Sequence, residues 1–587
     1  MNNNLEVIYK IIKPGMNKFV AQPILGGNIA LGIERYCTLQ DELIGGDGVD
    51  YAELVVEALD KDLLTNDIFI SSLILDLINE NDVKGLAVLL KIPADLSAFK
   101  KRQSILGCGK NVVKKTLLTF YNLEKDYFVN PTPLKTITTE CIIPFTPVPI
   151  EERNAKELIH KEYLALHDYQ KNIKDNIVRN LLFSRKNAKM LVHMPTGSGK
   201  TKTAIEAILD FIRVTLRLAE DGGTIVWFAH SKELCEQAYQ TFKSIWKYKG
   251  DYPINAYKYF GDTSADELSK CKEDKASIVF CGFQKFNSIL SSKPAEAELF
   301  ELKHFFHTNT KLVVVDEAHK SLATTYKKAI EFTNTMSNCR LLGLTATPGR
   351  SNYVEGDNQN DGLADFFGNN IISICYKDGS KIEDPLTYLQ EKKVLAKIIF
   401  EELDFNLDLK KLGYDTKKIS SFNKEKDLSD TELDLIATDP ERNAIIISKI
   451  KECYNAQEST LVFACTKDHC IILQRLLKLY DIESVVILGE TNKDIRSNAI
   501  SRFKKNDLKI LINYGVLSTG FDAPNLNSLI MARPTNSIVL YSQIVGRALR
   551  GKNNGGNDTN KIITIKDNMI GFPDPNFMFS YWNEFWN

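Results

Sequence analysis

The chain has 587 residues, too many for a single core, and at about 150 residues per domain it suits three to four domains. With 44% apolar and 25% charged residues it has the balance of a soluble, folded protein, which excludes a disordered or fibrous chain. The 74 basic and 75 acidic side chains nearly cancel, so a polyanion would have to be held by a local groove and not by a global field.

The N-terminus, MNNNLEVIYKIIKPG, lacks the long apolar run of a signal peptide. The longest apolar stretch, Ile68 to Ile78, is interrupted by Ser71, Ser72 and Asp76, so no membrane span is expected. Helical patterns follow at Tyr51 to Leu59, at Asp67 to Asn79 behind Thr65-Asn66, and at Val112 to Asn122. Asp47, Asp50 and Glu53 lie close together but lack an accompanying Glu-x-Lys, so they read as a solvated helix start and not as nuclease chemistry. Prolines 131, 133, 144, 147 and 149 then favour an extended connector. Residues 1–150 therefore read as a small, mostly helical accessory domain plus a Pro-rich connector.

From about residue 160 the rhythm changes to short β-branched runs alternating with helical patterns. Expected strands are Met190 to Met194, Thr224 to Ala229, Ser277 to Cys281, Lys311 to Val315 and Leu341 to Thr345. A second series runs Thr460 to Ala464, Ser484 to Leu488, Lys509 to Asn513, Ser528 to Ala532 and Lys561 to Ile565. Buried strands separated by helices make parallel sheets covered on both faces, so the fold class is α/β. The layout is a first α/β domain at 151–355, a connector with accessory helices at 356–440, a second α/β domain at 441–570 and an aromatic tail at 571–587. That tail, Phe577 to Trp586, reads as a packed terminus more than as a base-stacking platform. The eleven cysteines include no CxxC pair, and Cys465 and Cys470 read as small apolar residues. A reducing cytoplasm suits this cysteine usage.

Three clusters carry chemistry. Met194-Pro-Thr-Gly-Ser-Gly-Lys-Thr201 lies where a strand turns into a helix. A triphosphate needs inward backbone N–H groups, the positive end of a helix and a backbone free of Cβ obstruction. Thr196, Gly197, Ser198 and Gly199 can form that cradle, Lys200 can reach the β- and γ-phosphates, and the Thr201 hydroxyl can hold Mg²⁺. Met194 stands where such loops open with Gly or Ala, and a plain glycine turn is the competing reading of these eight residues. Asp316-Glu317-Ala318-His319 follows the apolar run Lys311 to Val315. Asp316, at the tip of a strand expected beside the phosphate-loop strand, can position Mg²⁺, and Glu317 can deprotonate the attacking water. In Gln543-Ile-Val-Gly-Arg-Ala-Leu-Arg550, a helix would put Gln543, Arg547 and Arg550 on one face, and two arginines there suit charge developing on a transferred phosphoryl group.

Over roughly residues 160 to 570 the order of these motifs resembles superfamily 2 helicases and translocases of the DEAH type. The likeness is nearest to RadD-like proteins and to the motor subunits of type I and type III restriction enzymes. Gly343-Leu-Thr-Ala-Thr-Pro348, Leu363-Ala-Asp-Phe-Phe367, Thr519-Gly-Phe-Asp-Ala-Pro524, Arg533-Pro-Thr535 and Tyr541 to Arg547 carry it. The resemblance implies two RecA-like domains in tandem, with ATP and Mg²⁺ bound between them. It further implies that Gln170, in Leu166-His-Asp-Tyr-Gln170, reads adenine and that Gly520 and Asp522 belong to the nucleotide site. His230, Ser231, Gln284 and Thr466 would contact the nucleic-acid backbone, and His319, Thr345 and Thr347 would couple hydrolysis to movement. Glu317, Lys200, Gln543, Arg547 and Arg550 would be the catalytic set. The implied activity is an ATP-driven DNA helicase or translocase in anti-phage defence or DNA repair, with a protein partner docked through the N-terminal domain. An RNA-directed helicase and an ATP-gated clamp without motor activity are the alternatives.

Overall fold

The computed structural model describes residues 3–44, 50–59, 63–64, 66–123, 142–145, 165–183, 187–216, 222–334, 339–349, 361–376, 380, 382, 384–405, 428–517, 525–535 and 537–567. By packing, these residues fall into two compact units. One lies within Met1–Thr136, Phe405–Ile419 and Ser429–Tyr514, and the other within Ile137–Asp404, Ser420–Leu428 and Gly515–Asn587. The C-terminal α/β segment expected at 441–570 thus contributes to both.

The N-terminal region is mostly helical, as expected, and begins earlier than the sequence pattern indicated, with helices Asn3–Ile12 and Lys18–Leu25 ahead of α1 (Gly27–Ile44). The predicted helix from Asp67 to Asn79 is α-helical only through Ser72 and continues as a π turn, Leu73–Leu77, where Ile78 N–H reaches back to the Leu73 carbonyl. Arg102 donates to the carbonyls of Ile74 and Ile78 and so satisfies groups that the helix end leaves open. Three further helices follow: α2 (Glu80–Leu89), α3 (Ala98–Gly107) and α4 (Lys110–Phe120). Side-chain caps from Asn79 and Ser97 start the first two. Buried Ile12, Val55, Phe69, Ile74, Leu86 and Val113 share one core.

The larger sheet runs in the order β1-β4-β5-β3-β6-β7-β2-β8. Its strands are β1 (Ile142–Phe145), β2 (Lys189–His193), β3 (Gly223–Ala229), β4 (Ile254–Tyr259), β5 (Ala276–Gly282), β6 (Thr310–Asp316), β7 (Arg340–Thr345) and β8 (Ile371–Ile372). All neighbours are parallel except β1 against β4. All seven residues of β3 are buried, as a parallel strand covered on both faces requires. Strand β4 was not anticipated from sequence. The DEAH strand β6 does not adjoin the phosphate-loop strand β2, as had been expected; β7 lies between them. Gly343 permits that close packing, since a Cβ there would sit 2.6 Å from Leu191 and Phe367 side-chain atoms. Helices α5 (Asp168–Phe183), α6 (Lys200–Phe211) and α7 (Lys232–Lys249) belong to this unit.

Further along the chain, β9 (Lys397–Phe405) replaces part of what had been read as a connector. In the first unit, helices α8 (Pro440–Asn455) and α9 (Lys467–Lys478) accompany parallel strands β10 (Thr460–Phe463), β11 (Ser484–Ile487) and β12 (Ile510–Asn513). In the second, β13 (Ser528–Met531) pairs in parallel with β14 (Thr559–Asp567), and helix α10 (Ile538–Val545) connects them. The chain therefore carries two parallel-sheet α/β layers in tandem behind a mostly helical N-terminal region, the RecA-like plan. Among the described residues no helix is long and apolar enough to cross a membrane.

Candidate active site

Strand β2 ends at His193 and α6 begins at Lys200, so the phosphate loop is a strand-to-helix turn as predicted. Gly197 and Gly199 have φ of 82° and 85°, a left-handed backbone that glycine adopts without strain. Met194 is fully buried, and its N–H donates to Thr345 O at 3.1 Å. Its side chain therefore fills core, which is why a residue bulkier than Gly or Ala fits there. Gln170 is 4% exposed, with both ends of its amide in use: Oε1 accepts the His167 N–H at 2.9 Å and Nε2 donates to Ser198 O at 3.1 Å. Tyr169 also donates to Ser198 O, at 2.7 Å. Gln170, expected to read adenine, lines the cavity described below and also braces the loop from beneath.

Asp316 ends β6 and is 5% exposed. Glu317 follows with φ 51° and ψ 53°, an uncommon backbone for a residue bearing a Cβ. Burial, and then the neighbouring Glu317 carboxylate, raise the Asp316 carboxyl to about 7. Burial also opposes ionisation of Glu317, but the positive charges that His319, Lys200, His230 and Arg547 can carry outweigh it and hold that carboxyl below its ordinary range. Burial pushes the Lys200 ammonium down, against the pull of Glu317 and Asp316. His319 Nδ1 lies 3.4 Å from Glu317 Oε2 and 3.3 Å from the hydroxyls of both Thr345 and Thr347. Thr345 Oγ1 donates to Thr347 O at 2.9 Å, so towards His319 it can only accept, which places the imidazole proton on Nδ1. Burial lowers His319 to about 4 and keeps it neutral. The three residues expected to couple hydrolysis to movement are thus one cluster behind the carboxylates.

Gln543, Arg547 and Arg550 do not share a helix face. Helix α10 stops at Val545, and Arg550 instead forms an antiparallel bridge with Leu395, with Ala396 N–H donating to Leu549 O at 2.8 Å. That long-range pairing competes with the next helical turn and wins. Gln543 is 8% exposed, its Nε2 has no partner among the described residues, and it does not line the cavity. Arg547 and Arg550 do. They face a cavity of about 340 Å³ together with Thr196, Gly197, Gly199, Lys200, Thr201, Asp316 and Glu317, all within one compact unit. Gly546 permits the approach, because a Cβ there would lie 2.5 Å from Thr196 Cβ.

Sequence reasoning missed Asn554, although the turn residues Asn554-Gly555-Gly556 were a visible signal. Its Nδ2 donates to Gly197 O at 3.1 Å and Val394 O at 3.2 Å, its carbonyl accepts from Arg550 Nε at 2.5 Å, and its Oδ1 is 3.4 Å from His167 Nε2. Asn553, the Leu234, Gln237 and Thr241 face of α7, and Ala165, His167, Gln170 and Lys202 also line the cavity. Of the expected nucleic-acid contacts, Ser231 caps α7 through the Leu234 N–H at 3.3 Å, His230 is half-buried and Gln284 is exposed. Thr466 belongs to the other unit, where it caps α9. Gly520 and Asp522, and the aromatic tail, lie outside the described residues.

The donor set fits a nucleoside triphosphate with its metal. A Cβ at Gly199 would stand 2.4 Å from Gln170 Nε2 and displace that amide, so glycine suits both the left-handed backbone and the brace, and Lys200 lines the cavity beside two carboxylates. Among the described residues no group of three or more His, Cys, Asp or Glu forms a metal cage, so a divalent ion here would take Thr201 and Asp316 and complete its shell from phosphate oxygens and water.

The family described as "Type III restriction enzyme, res subunit" matches residues 163–350, and "Helicase conserved C-terminal domain" matches residues 442–552. The chain is a superfamily 2 helicase. Members of this class are ATP-hydrolysing enzymes, and this helicase is related to restriction motor subunits. It is 24% identical over 405 residues to "Putative ATP-dependent helicase IRC3" of Saccharomyces cerevisiae, covering 67% of this chain and 51% of that protein. Identity is 22% to the "Type I restriction enzyme EcoKI endonuclease subunit" of Escherichia coli K12, over 62% of this chain and 31% of that one. The helicase thus spans about half the length of the yeast relative and a third of the bacterial one. A solved structure, "S. cerevisiae Dbp5 bound to RNA and ADP BeF3", aligns with TM-score 0.45 at 14% identity, covering 73% of this chain and 90% of that chain.

Proposed function

We propose that the chain is a DNA-stimulated ATPase that translocates along or unwinds DNA, in anti-phage defence or DNA repair, working in the cytoplasm with a protein partner. The observation that carries the reading is the single cavity lined at once by Lys200, Asp316, Glu317, Arg547 and Arg550. The restriction-enzyme match over residues 163–350 supports DNA as the polymer.

The helix end behind Gly199 and the main-chain N–H groups of the loop bind phosphate oxygens, and Lys200 neutralises their charge. Thr201 and Asp316 would hold Mg²⁺, which would supply further neutralisation of the phosphate oxygens. Glu317, held ionised by its cationic neighbours, takes the proton of the attacking water. Arg547 and Arg550 stabilise charge on the transferred phosphoryl group. His319, with its proton on Nδ1, positions Glu317 and links it to Thr345 and Thr347. ATPase assays with single-stranded DNA, duplex DNA and RNA test the reading: stimulation by DNA is expected. Stimulation by RNA alone would make the chain an RNA helicase, and none at all would make it a clamp.

A further inference from the structure

The helical region changes charge abruptly along the chain. Residues 1–83 hold 5 basic and 14 acidic side chains, whereas residues 84–123 hold 8 basic and 1 acidic, Asp95. Part of this excess is structural. Lys101 donates to Ala94 O at 2.6 Å, and Arg102 is spent on the carbonyls of Ile74 and Ile78. The remainder includes Lys84 on α2, Lys91 in the turn after it, Lys100 at the start of α3 and Lys115 on α4, all exposed. Among the described residues none of these four ammonium groups makes an ion pair. Between them in sequence stand exposed apolar side chains, Phe99 at 64% and Val112 at 49%. Phe99 and Lys100 occupy the outward side of α3, while Lys101 and Ile105 face the core.

This face is firmly anchored. Within the same compact unit, α1 packs against α8 and α9. Arg35 donates to Thr438 Oγ1 at 3.1 Å, the Tyr36 and Tyr480 hydroxyls are 2.8 Å apart, and a Cβ on Gly32 would stand 2.5 Å from Ile472 Cδ1. The helical region is therefore carried with residues 429–514.

We infer that the outward face of α2, α3 and α4 is a second DNA grip, separate from the contacts expected at His230, Ser231, Gln284 and Thr466; the inference rests on the DNA-motor reading above. Unpaired lysines interleaved with an exposed aromatic ring suit a single strand, held by its phosphates and by stacking on Phe99. The net negative charge of residues 1–83 disfavours the same polymer elsewhere in the region. Because the face travels with α8 and α9, a strand held there is held by the unit that contains residues 429–514.

The test uses the full chain, a fluorescein-labelled single-stranded DNA of about 40 nucleotides and a salt series. Lys100→Glu with Lys115→Glu is expected to lower affinity at least tenfold and to reduce the slope of log K against log[salt] by about 1.4, the value for two lost contacts to a single strand. Phe99→Ala should lower affinity with the slope unchanged. DNA-independent ATP hydrolysis should match wild type in both variants, which also reports that they fold. Wild-type affinity and slope in the double variant would overturn the inference, and so would a loss confined to RNA of the same length. If the unaltered chain neither binds DNA nor is stimulated by it, the DNA-motor reading fails instead, so the two failures are distinguishable.

Discussion

The side-chain amide of Asn554 donates to the main-chain carbonyl of Gly197 at 3.1 Å, and the carbonyl of Asn554 receives Arg550 Nε at 2.5 Å. One residue thus ties the phosphate loop to the second arginine of the cavity. Asn554→Ala keeps the carbonyl but releases the loop, so Arg550 loses its fixed distance from the cradle. The expected result is a fall in kcat of about three- to tenfold, the worth of roughly one hydrogen bond, with the KM for ATP changed less than about threefold. Asn554→Asp should be worse, because a carboxylate would face two carbonyl oxygens with nothing to donate. Steady-state ATPase kinetics check both variants.

Glu317→Gln preserves the shape and the left-handed backbone of its position but removes the base. Turnover should fall by about 10² to 10⁴. Binding of a fluorescent ATP analogue should stay within a few fold, because the cradle is untouched. Near-normal hydrolysis in this variant would transfer the role of base to another group in the cavity.

Gly199 and Gly555 offer a paired test of backbone and space. Both have positive φ, 85° and 80°, so alanine is strained at each, by about 1 kcal/mol. At Gly555 the new Cβ meets nothing within 4 Å, whereas at Gly199 it lies 2.4 Å from Gln170 Nε2. Gly199→Ala should therefore break the Gln170 brace and abolish nucleotide binding, measured by calorimetry. Gly555→Ala should lower only the melting temperature.

What could be read from sequence was local. The phosphate loop is a strand, two glycines and a helix start within a dozen residues, and its geometry follows from φ preferences and dipoles that need no distant partner. The DEAH carboxylates were equally legible as the end of an apolar run. The helix drawn through Gln543, Arg547 and Arg550 failed because Leu549 to Gly551 pair with Val394 to Ala396, some 150 residues away, and no local signal announces that pairing. Strand β9 was hidden for the same reason: Lys397 to Phe405 lies in a lysine-rich stretch whose neighbours read as connector. The order of β6, β7 and β2 is likewise topological, since sequence spacing identifies strands but not which of them lie side by side.

His469 makes stability acid-sensitive in the unit that holds α8 and α9. It is fully buried, and its Nδ1 accepts the Cys465 N–H at 3.1 Å. Asn443 Nδ2 donates to Ala437 O at 2.9 Å, so Asn443 Oδ1 faces His469 Nε2 at 3.0 Å and places the imidazole proton on Nε2. A second proton could go only on Nδ1, where it would break the bond to Cys465. Burial first, and then the nearby Arg442 cation, hold the imidazole well below its usual pKa. The folded state therefore refuses a proton that the unfolded chain accepts below about pH 6.5, so stability is intact above that value and falls as the pH drops through it. Between pH 7.0 and 5.5 this one group should cost about 1.3 kcal/mol. His469→Gln removes the titration, so its stability difference from wild type, measured by urea unfolding, should shrink by that amount over the same interval. A difference that stayed constant with pH would mean that His469 takes its proton in the folded state.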